Sequence, residues 1–181
     1  MKNTQTPDDW FDQFVVTTET ETGSPPVRTV GIDRSPLFML ASAGNRYARI
    51  FTRLLLTRYG IGVMTWRMLV QLAQAPGASV ADASRHTGID KAAVSRALSA
   101  MAVDGLVQTQ APASDSRRKS WYLTQAGHDL HDTILPLSIE MHHRLLGDLD
   151  QTDIAELRRL LLQFHASLGR LENDLNQGPG L

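Results

Sequence analysis

The chain has 181 residues, enough for one domain or for one compact lobe with an extension for assembly, and its formal net charge is −1. It has no cysteine, which excludes disulfides, zinc–thiolate sites and thiol redox sensing. No apolar run approaches the ~18 residues of a membrane-spanning helix, and the Met1-Lys-Asn-Thr-Gln-Thr-Pro-Asp-Asp start lacks the apolar core of an export signal, so a cytoplasmic location is expected.

The near-zero total conceals an uneven distribution. Residues 1–34 hold three cations and six carboxylates, and residues 35–78 hold five arginines (Arg46, Arg49, Arg53, Arg58 and Arg67) and no acid. Residues 79–124 hold six cations and four acids, and residues 125–181 four cations and nine acids. A middle of charge +7 thus sits between acidic ends. Phosphate responds to the local field, so this total is compatible with a nucleic-acid partner.

Residues 1–34 read as an N-terminal extension rich in Thr, Glu and Pro, with a structureless stretch over Thr17–Pro26. Inside it, Thr6-Pro7-Asp8-Asp9 offers an N-cap, a first-turn Pro and first-turn acids. Trp10, Phe11 and Phe14 share one face beyond that start, so a short amphipathic helix and a plain tail both fit.

From Ser35 to Tyr59, Leu40, Tyr47, Ile50 and Leu54 recur at helical spacing, and Tyr59-Gly60-Ile61-Gly62 ends the helix. A second helix spans Met64 to Ala75 and stops at Pro76-Gly77. Ser79 and Asp82 form a capping-box pattern that opens a third helix to about His86. After the Thr87-Gly88-Ile89 turn, Asp90 caps a fourth helix with Val94, Ala97, Leu98 and Met101 on its core face. Its other face shows Ala92, Ser95, Arg96 and Ser99, and Gly105 ends it.

Two alternating segments, Leu106 to Ala111 and Lys119 to Leu123, read as strands joined by a loop holding Asp115, Arg117 and Arg118. Thr124 caps a long helix to about Leu146 with Pro136 inside it, and Asp150 caps a last, leucine-rich helix. The tail from Asn176 reads as frayed. The expected fold class is mainly α with a small β-hairpin wing, a winged helix-turn-helix lobe joined to a helical dimerisation region.

A helix reads duplex DNA with its N-terminal residues in the major groove, where the positive dipole end also favours phosphate. Lys91, Ala92, Ser95 and Arg96 occupy those turns. Alanine permits close approach, and an arginine can fork onto guanine or a phosphate. Arg117, Arg118 and Lys119 form a cationic hairpin tip suited to a phosphate backbone or a narrow minor groove.

These segments resemble the MarR-type winged-helix transcriptional regulators. Asp115, Arg117, Leu123 and Thr124 match the family's Asp-x-Arg-x5-Leu-Thr wing, with Gly127 following, and Asp90-Lys-Ala-Ala-Val-Ser-Arg-Ala-Leu with Gly105-Leu106-Val107 matches the recognition helix and its exit. The resemblance covers residues 35–175. It implies a homodimer built from residues 35–62 and 124–175, a DNA-binding lobe over 63–123, and a frayed 176–181 tail. It further implies that Asp115 braces the wing and Arg117 enters the minor groove of double-stranded DNA. In this chain Ala83-Ser84 stands where the family usually has Leu-Ala, Trp121 where it has a β-branched residue, and the N-terminal extension is longer than usual.

The resemblance also implies a repressor of a pseudo-palindromic operator, released by a small aromatic acid or aromatic acyl-CoA effector. Arg46, Arg49 and Arg53 share one face of the first helix and could pair with an effector anion, contact DNA phosphates or simply be solvated. Trp66 fits core or pocket wall. His128, His131, His142 and His143, with Asp132 or Glu140, would need convergence to bind metal, so no metal and no cofactor is expected. No nucleophile elbow, phosphate loop or His-Glu-x-x-His motif marks an enzyme. The alternative from another class is a ligand- or metal-binding helical dimer without a DNA role.

Overall fold

The computed structural model describes residues 12–19, 24–110 and 119–178. The chain divides into two compact units, residues 1–124 and 125–181.

In the first unit, strand β1 (Val15–Thr18) pairs antiparallel with β2 (Val27–Val30), placing Val15 opposite Val30 and Thr18 opposite Val27. The Gly31 N–H donates to the Phe14 carbonyl at 2.7 Å and closes the ladder. This corrects the expectation of a structureless Thr17–Pro26 stretch, because Thr17 and Thr18 are strand residues. Runs of Val and Thr favour the pleated backbone, but each run has only four residues, too short to stand out from the surrounding polar composition. Trp10 and Phe11, which from sequence fit either a short helix or a plain tail, lie outside the described residues.

Helix α1 (Pro36–Tyr59) starts with Pro at its first turn and ends at Gly60, whose φ of 70° is the left-handed conformation a helix C-cap favours. Helix α2 (Val63–Gln74) follows, then α3 (Val80–Thr87), which carries the expected capping box of Ser79 and Asp82. Asp90 caps α4 (Lys91–Val103) by accepting the Ala93 N–H at 2.8 Å. Strands β3 (Val107–Gln110) and β4 (Ser120–Leu123) pair antiparallel, with Val107 opposite Leu123 and Thr109 opposite Trp121.

The core of this unit joins α1, α2 and α4, with single buried residues from α3 and β3 and two from β4. Phe51 and Leu55 from α1, Met68, Leu69 and Leu72 from α2, and Val94, Leu98 and Met101 from α4 are essentially inaccessible to solvent. Each such side chain contributes roughly 1.5–3 kcal/mol on leaving water. The apolar spacing seen in sequence is this buried face. Ala83 is buried where a larger residue was expected, and the neighbouring Ser84 hydroxyl donates to the Ile89 carbonyl at 2.6 Å. That bond holds the turn between α3 and α4, so the Ala83-Ser84 pair trades apolar volume for a polar clasp.

The wing is anchored at both ends of β4. Gly77 donates its N–H to the Trp121 carbonyl at 2.8 Å, and Trp121 donates its own to the Ala78 carbonyl at 3.1 Å. Gly77 has φ of 82°, and a Cβ there would lie 2.8 Å from the Tyr122 hydroxyl oxygen, so glycine is required on both counts. The Thr124 hydroxyl donates to the Gly105 carbonyl at 2.6 Å, and its N–H to the Leu106 carbonyl at 3.0 Å.

The second unit holds α5 (Gln125–Leu146), which runs through Pro136, and α6 (Gln151–Gln177), opened by a capping box of Asp150 and Asp153. Helix α6 buries none of its residues. Its Leu157, Leu160, Leu161, Leu168, Leu171 and Leu175 are exposed at spacings of three, four and seven, an apolar stripe open to solvent.

Candidate nucleic-acid interface and effector pocket

The helix-turn-helix of α3 and α4 presents one exposed face. Lys91, Ala92, Ser95 and Arg96 are all exposed on the first two turns of α4, as the sequence spacing predicts. The side chains of Lys91, Ser95 and Arg96 make no hydrogen bond or ion pair among the described residues, so their donors are available. The buried face of the same helix, Val94, Leu98 and Met101, fixes its rotation, so this exposure is imposed by packing.

Between the start of α3, the outer face of α4 and the root of the wing lies a groove with a volume of about 530 Å³. It brings together Ser79, Arg85, Ser95, Ser99, Lys119 and Trp121. Lys119 is exposed at this rim. Arg85 and Ser99 were not singled out from sequence as contacts. Arg85 is three residues from Asp82 and pairs with it at 3.3 Å, but Arg85 is largely exposed and Asp82 partly so, and the pair adds little stability. Asp115, Arg117 and Arg118, the other wing residues singled out from sequence, lie outside the described residues.

Trp121 is buried at the base of this groove, and its Nε1–H has no hydrogen-bond partner among the described residues. A buried indole N–H left unpaired costs about 1–3 kcal/mol. The large ring fills the space beneath the wing, and the cost is borne for that packing.

A second concavity, of about 330 Å³, lies among α1, α2 and the end of α3. Val63, Trp66 and Val70 give it apolar walls, while Tyr47, Arg67, Gln71 and His86 bring polar groups. Trp66 is both core and pocket wall: only 5% exposed, it meets Phe51 edge-on with ring centroids 6.4 Å apart. Tyr47 stacks on the other side of Phe51 at 5.6 Å. Burial raises the Tyr47 hydroxyl above its ordinary pKa, and the nearby Arg67 guanidinium partly offsets this. Gln71 is buried, and its Nε2 lies 3.1 Å from His86 Nδ1.

The cation of this pocket is Arg67. Arg46, Arg49 and Arg53 are exposed on α1 and do not line it. At 100° per residue they sit on a different face of α1 from Tyr47. Arg67 has no ion pair among the described residues, and residues 35–78 supply no carboxylate. An acid-free cation beside an aromatic wall has the chemistry to hold an external anion.

The histidines of the second unit are accounted for separately. His131 Nδ1 lies 2.8 Å from Asp132, and His142 Nδ1 lies 2.7 Å from the Ser138 carbonyl. His128 and His143 are exposed, and no group of three His, Asp or Glu side chains converges on a metal site among the described residues.

A helix held by a buried face, a turn clasped to the preceding helix and a two-stranded wing together define a winged helix-turn-helix fold. Residues 59–118 match the MarR family. Over 131 residues the chain is 26% identical to the transcriptional repressor IacR of Pseudomonas putida, covering 72% of this chain and 78% of that one. A MarR/EmrR family regulator from Acinetobacter sp. ADP1 superposes with a TM-score of 0.69 at 26% identity, covering 82% of this chain and all of that one. The Bordetella bronchiseptica regulator BpsR shares the fold with a TM-score of 0.62 at 21% identity, over 70% of this chain and 95% of its own. The relatives matched over this region are transcriptional regulators.

Proposed function

We propose that this regulator is a homodimeric repressor of a pseudo-palindromic operator, released when a small aromatic acid occupies the pocket beside Arg67. The observation that carries the DNA half is the exposed row Lys91, Ala92, Ser95 and Arg96 beside the groove rimmed by Lys119. Two such helices, one per protomer, would enter successive major grooves about one helical turn apart, with Arg117 and Arg118 of each wing reaching the flanking minor groove. The exposed leucine stripe of α6 supports the dimer, because an apolar face of that length is usually covered by a partner. The name of the Pseudomonas putida relative supports repression.

Arg67 and the Trp66 wall support an aromatic acid as effector. In BpsR, DNA binding is regulated by 6-hydroxynicotinic acid, itself an aromatic acid. The pocket favours a free acid over an acyl-CoA thioester: about 330 Å³ encloses a single substituted ring, and Arg46, Arg49 and Arg53 are not at its rim to receive a nucleotide. His86 and Thr87, which line the pocket, directly precede the turn into α4. A ligand seated there would favour lobe arrangements that do not match the operator, a population shift between two states.

Titration of labelled upstream DNA at several salt concentrations tests this reading. Sequence-specific binding that falls steeply with salt is expected. Finding no specific site would leave the rival, a ligand-binding helical dimer without a DNA role.

A further inference from the structure

The pocket beside Arg67 has a second polar end. Arg67 and Gln71 are four residues apart on α2 and both line the cavity, which places them one above the other on one helix face. Their separation along the axis is about 6 Å, close to the span of a benzene ring from a carboxylate to the substituent opposite. Gln71, 6% exposed, lines this cavity together with His86 from α3, its Nε2 3.1 Å from His86 Nδ1. An amide that spends one N–H on an imidazole keeps a second N–H and a carbonyl oxygen, and a neutral imidazole accepting at Nδ1 keeps a donor at Nε2. The space between the two polar ends is walled by Val63, Trp66 and Val70, whose apolar surfaces accept a flat ring.

We infer that Gln71 and His86 set the effector specificity of this pocket, selecting an aromatic monocarboxylate that carries a hydroxyl or another hydrogen-bonding group para to its carboxylate. This rests on the reading of Arg67 as the carboxylate receptor. An unsubstituted ring leaves the Gln71–His86 end facing carbon, so a buried amide loses water without gaining a partner. A para hydroxyl replaces that water and can both donate and accept. An ortho hydroxyl lies beside the carboxylate and does not reach the far end.

Isothermal titration of the full-length protein with benzoate, 2-hydroxybenzoate and 4-hydroxybenzoate tests this directly. The para isomer is expected to bind about three- to tenfold tighter than benzoate, the gain from one hydrogen bond that replaces an unmet polar group. The ortho isomer should show no such gain. In His86→Leu the ratio between 4-hydroxybenzoate and benzoate should collapse towards one, and in His86→Gln, which restores a donor, it should partly return. His86 is exposed, so neither variant threatens the core. A para isomer no tighter than benzoate overturns this inference and leaves the Arg67 reading standing, as does a ratio that survives in His86→Leu. Binding of none of the three acids overturns both.

Discussion

The side-chain nitrogen of Gln71 lies 3.1 Å from Nδ1 of His86, joining the middle of α2 to the last turn of α3 across 15 residues of sequence. His86 is followed by Thr87, Gly88 and Ile89, and then by the Asp90 that caps the recognition helix. The same two side chains line the pocket that contains Arg67. A ligand that engages this pair therefore acts on the helix packed behind the DNA-reading element, within five residues of its cap.

Replacing Gln71 by Ala should cost about 1–2 kcal/mol of stability, from one lost hydrogen bond and a small cavity. Urea denaturation of wild type and variant at the same protein concentration measures it, and the midpoint should move with little change in slope. A change within a few tenths of a kcal/mol would mean that the Gln71–His86 contact does not hold α3 against α2.

Tyr47 should ionise above its ordinary pKa of 10.0, because burial disfavours the phenolate more than Arg67 favours it. The folded state holds this proton more tightly than the unfolded one. The stability this contributes is present below pH 10 and is lost as pH rises through the folded value. Ultraviolet titration should show a late phenolate step absent from Tyr47→Phe. Arg67→Ala should move that step higher still, since the guanidinium is the group that lowers it.

On DNA, Lys119 and Arg96 should fail in different ways. Lys119→Ala should weaken all sequences alike and reduce the salt slope by about one, as expected of a single phosphate contact. Arg96→Ala should cost about 1–3 kcal/mol at one base position per half-site and relax discrimination there. Binding measured against operator variants at two salt concentrations separates the two. Uniform weakening by Arg96→Ala would make it a phosphate contact.

Trp121→Phe should fall within about 1 kcal/mol of wild type in thermal or urea unfolding. The loss of apolar area is offset by removal of an N–H that is buried without a partner among the described residues. Trp121→Ala leaves the space beneath the wing empty and should cost about 3–5 kcal/mol. If the Phe variant were as unstable as the Ala variant, the indole nitrogen would be making a bond that matters.

The helix-turn-helix was legible in the chain because its signals are local. Asp90 before a helix, glycines at Gly88 and Gly105, and the spacing of Val94, Leu98 and Met101 fix where α4 starts, stops and faces, and so which residues it exposes. The same locality made Ser79 and Asp82 readable as a cap. The N-terminal hairpin escaped because its pairing joins residues 15–18 to residues 27–30, and a four-residue strand carries too little periodicity to declare itself.

The proposed effector pocket shows the same division. The sequence alone determined that residues 35–78 are rich in arginine and free of acid, and that several arginines share a helix face. It pointed to Arg46, Arg49 and Arg53, whereas packing placed Arg67 in the cavity and left that row outside it. Periodicity tells which residues of a helix lie together, but only the surface packed against that helix decides which face becomes a wall. Here α3 supplied that surface, bringing His86 to Gln71 and closing a receptor from residues that no spacing rule connects.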